Sequence, residues 1–99
     1  SCYKQKETVA VIKVIAGNNQ PIENAQVIIY GTGTMGAIVV NDTMYTDAMG
    51  EAVFNMDYIY KPGQAGVAVL DIQVTKNGIT TQGIIKVEQE KTTRETVRL

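Results

Sequence analysis

Acidic side chains crowd one stretch of the chain: Asp42, Asp47, Glu51 and Asp57 follow closely on a glycine run, Gly31-Thr32-Gly33-Thr34-Met35-Gly36. Paired carboxylates are the equipment of glycoside hydrolysis, one protonating the leaving group and the other activating or replacing water. Loop oxygens are also what calcium takes, and Asn41, Asp42 and Asp47 could approach one another at one end of a small domain. The pattern favours neither chemistry. No Asp-x-Asp-x-Asp spacing is present, and the acids fall at expected turns and strand ends, where a carboxylate caps its own backbone. They are read as solvated turn residues, with no catalytic and no metal-ligating residue expected.

The glycine run fits G-x-G-x-x-G, and Glu51 stands about 20 residues on, where a ribose-binding acid would be. That fingerprint works only when its third glycine opens a helix whose amides meet the pyrophosphate. Here the run is followed by Ala37-Ile38-Val39-Val40-Asn41-Asp42-Thr43, β-branched and then turn-forming. The run is read as a connection between strands, and no cofactor is expected. The chain contains no histidine. The commonest general base, the commonest zinc ligand and any Ser-His-Asp or Cys-His arrangement are therefore missing.

Three other groups of residues invite a role. Tyr58 and Tyr60 flank Ile59 beside Lys61-Pro62-Gly63, and five tyrosines stand against one phenylalanine and no tryptophan. A loop-borne aromatic pair offers apolar faces with polar tips, so Tyr58, Tyr60, Lys61 and Met35 form the candidate contact surface for a protein or a glycan. The plainer role is that one ring closes the end of the core while the other rests outside. Cys2 is the lone cysteine, follows Ser1, and precedes the polar stretch Tyr3-Lys4-Gln5-Lys6-Glu7. It cannot form an internal disulfide, so packing must hold the fold. Asn41-Asp42-Thr43 is a formal N-glycosylation sequon, and Asp42-Thr43-Met44 resembles the Asp-Thr-hydrophobic O-glycosylation signal of exported proteins, which makes Thr43 a candidate for modification.

The elements that must carry these residues are strands. Residues 8–15 are rich in β-branched side chains and end in the turn formers Gly17-Asn18-Asn19-Gln20-Pro21. Ala25, Val27 and Ile29 alternate with Gln26, Ile28 and Tyr30, the first set facing the core. Residues 37–40 make a short strand broken by Asn41-Asp42, with 43–46 continuing it. After a turn over 47–50, Ala52, Phe54 and Met56 share one face. Ala68, Leu70, Ile72 and Val74 lead into Lys76-Asn77-Gly78, the strongest hairpin signal in the chain. Residues 93–99 form a last strand, with Val97 and Leu99 inward and Arg94 and Arg98 outward. That is about seven strands with a turn signal every 8–12 residues and no helical period, the pattern of an all-β antiparallel sandwich.

A chain of 99 residues supports one core, read here as a tether over 1–7 and a single sandwich domain over 8–99. Hydrophobic residues are 44%, charged residues 19% and the net charge is -1, which is an ordinary globular balance. The nine Lys and Arg are scattered rather than gathered with aromatics, so no nucleic-acid partner is expected. The longest apolar run is far short of the ~20 residues a spanning helix needs.

The Pro21-Ile22-Glu23-Asn24-Ala25-Gln26-Val27 and Thr46-Asp47-Ala48-Met49-Gly50 segments resemble those of the carboxypeptidase-regulatory-like and transthyretin-like (prealbumin-like) sandwiches, as found in small Bacteroidetes-type lipoproteins. The resemblance runs from residue 9 to residue 87. It implies an immunoglobulin-like or transthyretin-like sandwich of about seven strands. It also separates the chain from that group's hydroxyisourate hydrolases, which depend on histidines. Ser1-Cys2 resembles the mature start of a bacterial lipoprotein, which implies export and a lipid anchor on Cys2 at the outer membrane or cell surface, or else a periplasmic location. The expected function is a non-enzymatic structural or protein-interaction module of the cell envelope. The alternative is a glycan- or peptide-binding accessory domain of a surface uptake or degradation system.

Overall fold

The computed structural model describes residues 7–32, 39–59 and 67–99. Its strands are β1 (Val9–Ile15), β2 (Gln26–Thr32), β3 (Val39–Tyr45), β4 (Glu51–Asn55), β5 (Val67–Lys76), β6 (Ile79–Glu88) and β7 (Thr92–Arg98), with a 3-10 turn at Asp57–Ile59 after β4. They form a three-stranded sheet in the order β4-β1-β7 and a four-stranded sheet in the order β3-β2-β5-β6. All pairs are antiparallel except β1 with β7. The chain is an all-β sandwich.

Alternation decides which face each strand buries. Ala10, Ile12 and Val14 of β1 are fully buried against Val27 and Ile29 of β2 and Leu70, Ile72 and Val74 of β5, within one continuous core. Ala52, Phe54 and Met56 add to it from the β4 side, and Ile85, Val87 and Val97 from β6 and β7. Each large aliphatic side chain removed from water contributes about 1.5–3 kcal/mol, and with no internal disulfide available this packing holds the two sheets together. Val97 lies inward as its position predicts, and Leu99 is half-buried against the core. The β5–β6 hairpin turns on Asn77 and Gly78 at φ 51° and 79°. Those paired positive angles match the twist of the flanking strands, which is why Asn-Gly announces the turn.

Two arrangements differ from the sequence reading. Asn41 and Asp42 do not break a strand: both lie inside β3, opposite Tyr30 and Ile29. Seven ladder pairs with β2 outweigh the poor strand propensity of these residues, because β3 is an edge and its polar side chains keep access to water. The other is the parallel pairing of β1 with β7. It is made possible by the 89–91 turn, which carries the chain from one sheet to the other. The Val9 N–H donates to the Lys91 carbonyl at 3.0 Å, and the Glu90 N–H to the Thr8 hydroxyl at 2.8 Å. Thr8 is 2% exposed, a polar side chain buried because it closes this seam.

One surface detail has a local cause. Val11 points away from the core yet is only 4% exposed. Its ladder partners are Val53 and Arg94, and the Arg94 guanidinium reaches across β1 to the Glu51 carboxylate at 3.5 Å. The bridge and the arginine stem roof the valine, a packing role for a pair that as an exposed ion pair contributes about 0–1 kcal/mol.

Candidate functional site

The acidic residues come first, because any chemistry would begin with them. The Asp47 carboxylate accepts the N–H groups of Met49 at 2.9 Å and Glu51 at 3.0 Å, closing its own turn. Asp57 accepts the Thr8 N–H at 2.6 Å, fastening the start of β1 to the 3-10 turn. Glu51 pairs with Arg94. Asp42 departs from the expected turn position: it sits on the inward-facing side of β3 at the margin of the sandwich, where its carboxylate accepts the Tyr58 hydroxyl at 2.5 Å. Roughly 15 Å of extended chain separates Asp42 from Asp47, so the two do not converge. Among the described residues no three Asp, Glu or Cys side chains gather as a metal-binding group.

Tyr58 is the one member of the expected contact surface within the described residues, and Met35, Tyr60 and Lys61 lie outside them, as does Cys2. It does not close the core. That position belongs to Ile59, which is 2% exposed, while the Tyr58 ring is 45% exposed and its hydroxyl is committed to Asp42. The bond links β3 of one sheet to the turn after β4 of the other. Partial burial, the hydrogen bond and the neighbouring Asp42 charge together push the phenol well above the ordinary tyrosine range. The folded state therefore holds this proton more tightly than the unfolded chain, whose tyrosines titrate near pH 10. The contribution is complete below about pH 10 and is lost as pH rises above it towards the folded value. In an absorbance titration one of the five tyrosines should ionise last, and Asp42→Asn should bring it back towards the others; identical curves for both proteins would refute the link.

Thr43 is exposed on the outward side of β3. It belongs to a larger surface that only the register of four strands brings together. Across the outer face of the four-stranded sheet, one row reads Tyr45, Gln26, Thr75, Thr80 and the next reads Thr43, Ile28, Gln73, Gln82. A third row reads Asn41, Tyr30, Asp71, Ile84. Within these three rows Asp71 is the single charge, and Lys86 and Glu88 appear only beyond them along β6. Two internal contacts order one end: the Gln26 amide donates to the Tyr45 hydroxyl at 3.3 Å, and the hydroxyls of Thr75 and Thr80 lie 3.1 Å apart. The opposite outer face is different in kind, with Lys13, Glu51, Arg94 and Arg98 on three short strands.

Sequence reasoning set Gln26, Ile28 and Tyr30 opposite the core-facing residues of their strand but saw no site in them. No signal along the chain could have revealed it, because each strand alone shows only ordinary alternation. Of the glycine run, Gly31 and Thr32 are strand residues of β2, paired with Val40 and Val39, and Gly33, Thr34, Met35 and Gly36 lie outside the described residues. Among the described residues no helix is long and apolar enough to cross a membrane. Compared with known proteins, the chain matches no family model and no curated protein sequence.

Proposed function

We propose that the chain is a non-enzymatic, exported β-sandwich module, held at the cell envelope by lipid on Cys2, with a structural or protein-interaction role. The observation that carries this reading is the use of the acidic side chains: Asp42 and Asp57 accept hydrogen bonds that join separate segments of the fold and Asp47 closes its own turn, which leaves all three engaged as structural acceptors. A histidine-free chain whose carboxylates are committed in this way suits presentation of surfaces better than turnover. Strand order supports the transthyretin-like branch of the resemblance over the immunoglobulin-like one. In the constant-type immunoglobulin sandwich the first strand lies beside the second, whereas here β1 lies between β4 and β7, and β2 between β3 and β5.

Intact mass spectrometry of native protein extracted from membranes tests the anchor. The expected result is a mass increase that maps to Cys2, and a full-length chain with an unmodified Cys2 would sink the lipoprotein reading. The same spectrum reports any glycan on Thr43. A second reading, an accessory domain that binds a glycan or peptide, is favoured by the three polar rows on the outer face of the four-stranded sheet, in which Asp71 is the single charge.

A further inference from the structure

We propose that the outer face of the β3-β2-β5-β6 sheet is a binding platform for an uncharged glycan chain, an inference that rests on the accessory-domain reading above. Three registered rows across four strands cover about 14 Å by 13 Å at ordinary strand spacing and rise. Ten of their twelve positions carry hydroxyl, amide, phenol or carboxylate groups, the exceptions being Ile28 and Ile84. Hydroxyls and amides both donate and accept, which is the hydrogen-bonding character of sugar hydroxyls. Tyr45 and Tyr30 stand on neighbouring strands about 13 Å apart along the strand direction, with the Thr43 and Ile28 positions between them and Gln26 and Gln73 beside these. Two amphipathic rings flanking a polar floor suit a ligand with apolar C–H faces and a hydroxyl rim.

Charge decides among occupants. The chain is 19% charged, but this face holds only Asp71 within its three rows. A polyanion would meet that carboxylate with no cation in the rows to answer it. A second copy of the chain would need the ~800 Å² that each partner contributes to a standard interface, well beyond the roughly 200 Å² of the three rows, and would have to cover Lys86 and Glu88 as well as Asp71. Apolar side chains lie towards one side of the platform: Ile84 in the third row is well exposed, Val69 and Val67 follow on β5 beyond the rows, and Ile28 is half-buried. A neutral glycan requires neither cations nor a wide apolar patch, and ordered water can complete its contacts.

The test is native affinity electrophoresis of the whole protein through gels containing hydroxyethylcellulose, glucomannan or xylan, with polygalacturonate as the anionic comparison. Retardation is expected in at least one neutral gel. Tyr45→Ala and Gln82→Ala, both at exposed positions and so neutral for folding, should each weaken it about three- to tenfold. Gln73→Glu, which sets a second carboxylate beside Asp71, should abolish it. No retardation in any neutral gel overturns the proposal, as does stronger retardation by polygalacturonate, or neutral retardation that all three variants preserve. A protein partner recovered by co-purification alongside a negative gel result would leave the envelope-module reading standing and remove this one.

Discussion

Gly50→Ala is expected to lower the thermal midpoint by roughly 15 °C, or to prevent folded protein from accumulating, which makes it the most damaging methyl group that can be added at the described glycines. Gly50 is buried and takes φ 76°, a region that residues with a Cβ enter at a cost of about 1–3 kcal/mol. Space compounds the strain. An added Cβ would lie 2.7 Å from the Val14 carbonyl oxygen, 3.0 Å from the Pro21 Cβ and 3.1 Å from the Ile22 nitrogen. Two of these neighbours are backbone, so no side chain can swing aside. Nor can Gly50 itself retreat, since its carbonyl accepts the Val14 N–H at 2.7 Å and its N–H donates to the Asp47 carbonyl at 2.9 Å. Together strain and clash should cost at least about 3 kcal/mol, a large part of the 5–15 kcal/mol that holds a typical domain, and each kcal/mol is worth about 4–8 °C at this size. Gly17→Ala is the control. Nothing lies within 4 Å of a Cβ at that position, so its midpoint should stay within a few degrees of the parent. Equal midpoints for the two variants would show that the 47–50 turn yields easily and that its contact with β1 carries little stability.

How far the sequence foretells this fold depends on where each signal resides. Alternation in 25–30, 52–56 and 68–75 specified the buried faces correctly, because burying one side of a strand imposes a period of two on the residues themselves. Asn77-Gly78 specified the hairpin for a similarly local reason, as both residues must take positive φ. Asn41 and Asp42 misled because propensity weighs a residue alone, whereas their place in β3 is set by seven pairs with another strand. Thr8 and Thr46 are buried polar residues whose partners lie far along the chain: Thr8 meets Glu90 at a separation of 82 residues. No local window contains that information. The candidate platform was illegible for the same cause. Gln26, Gln73 and Gln82 are unremarkable solvent-side residues in three strands, and only the register places Gln26 and Gln73 beside Ile28 and Gln82 on one nearly neutral surface. Tyr58 was visible as a candidate from its loop and its aromatic neighbours, but the hydroxyl's engagement with Asp42 follows from how the sheet edges meet.

Thr46→Val should cost about 2–4 kcal/mol, although the substitution preserves shape and adds apolar surface to a site that is only 5% exposed. The reason is the pair of bonds made by the hydroxyl. It accepts the Ala25 N–H at 2.8 Å and donates to the Ile22 carbonyl at 2.6 Å. Beside it, the Thr46 N–H donates to the Ala25 carbonyl and the Thr46 carbonyl accepts the Asn24 N–H, so one residue holds the whole approach to β2. Valine keeps the two backbone bonds and loses the two made by the side chain. Ala25 is fully buried, so its N–H would be stranded without water, at a penalty of about 1–3 kcal/mol for that group alone. Ile22 is partly exposed, and its carbonyl can turn to solvent at lower cost. Thr46→Ser separates the hydroxyl from the methyl: it retains both bonds and should lose only about 1 kcal/mol of packing. Urea midpoints should therefore fall in the order parent, serine, valine, with hydrogen exchange at the Ala25 amide accelerated in the valine protein alone. Gly50→Ala acts on the same segment, through Pro21 and Ile22, so the double variant should lose less than the sum of its parts. If valine and serine lose equal stability, the backbone bonds alone hold the segment; if the double variant is additive, the Thr46 and Gly50 contacts act as independent fasteners of β2.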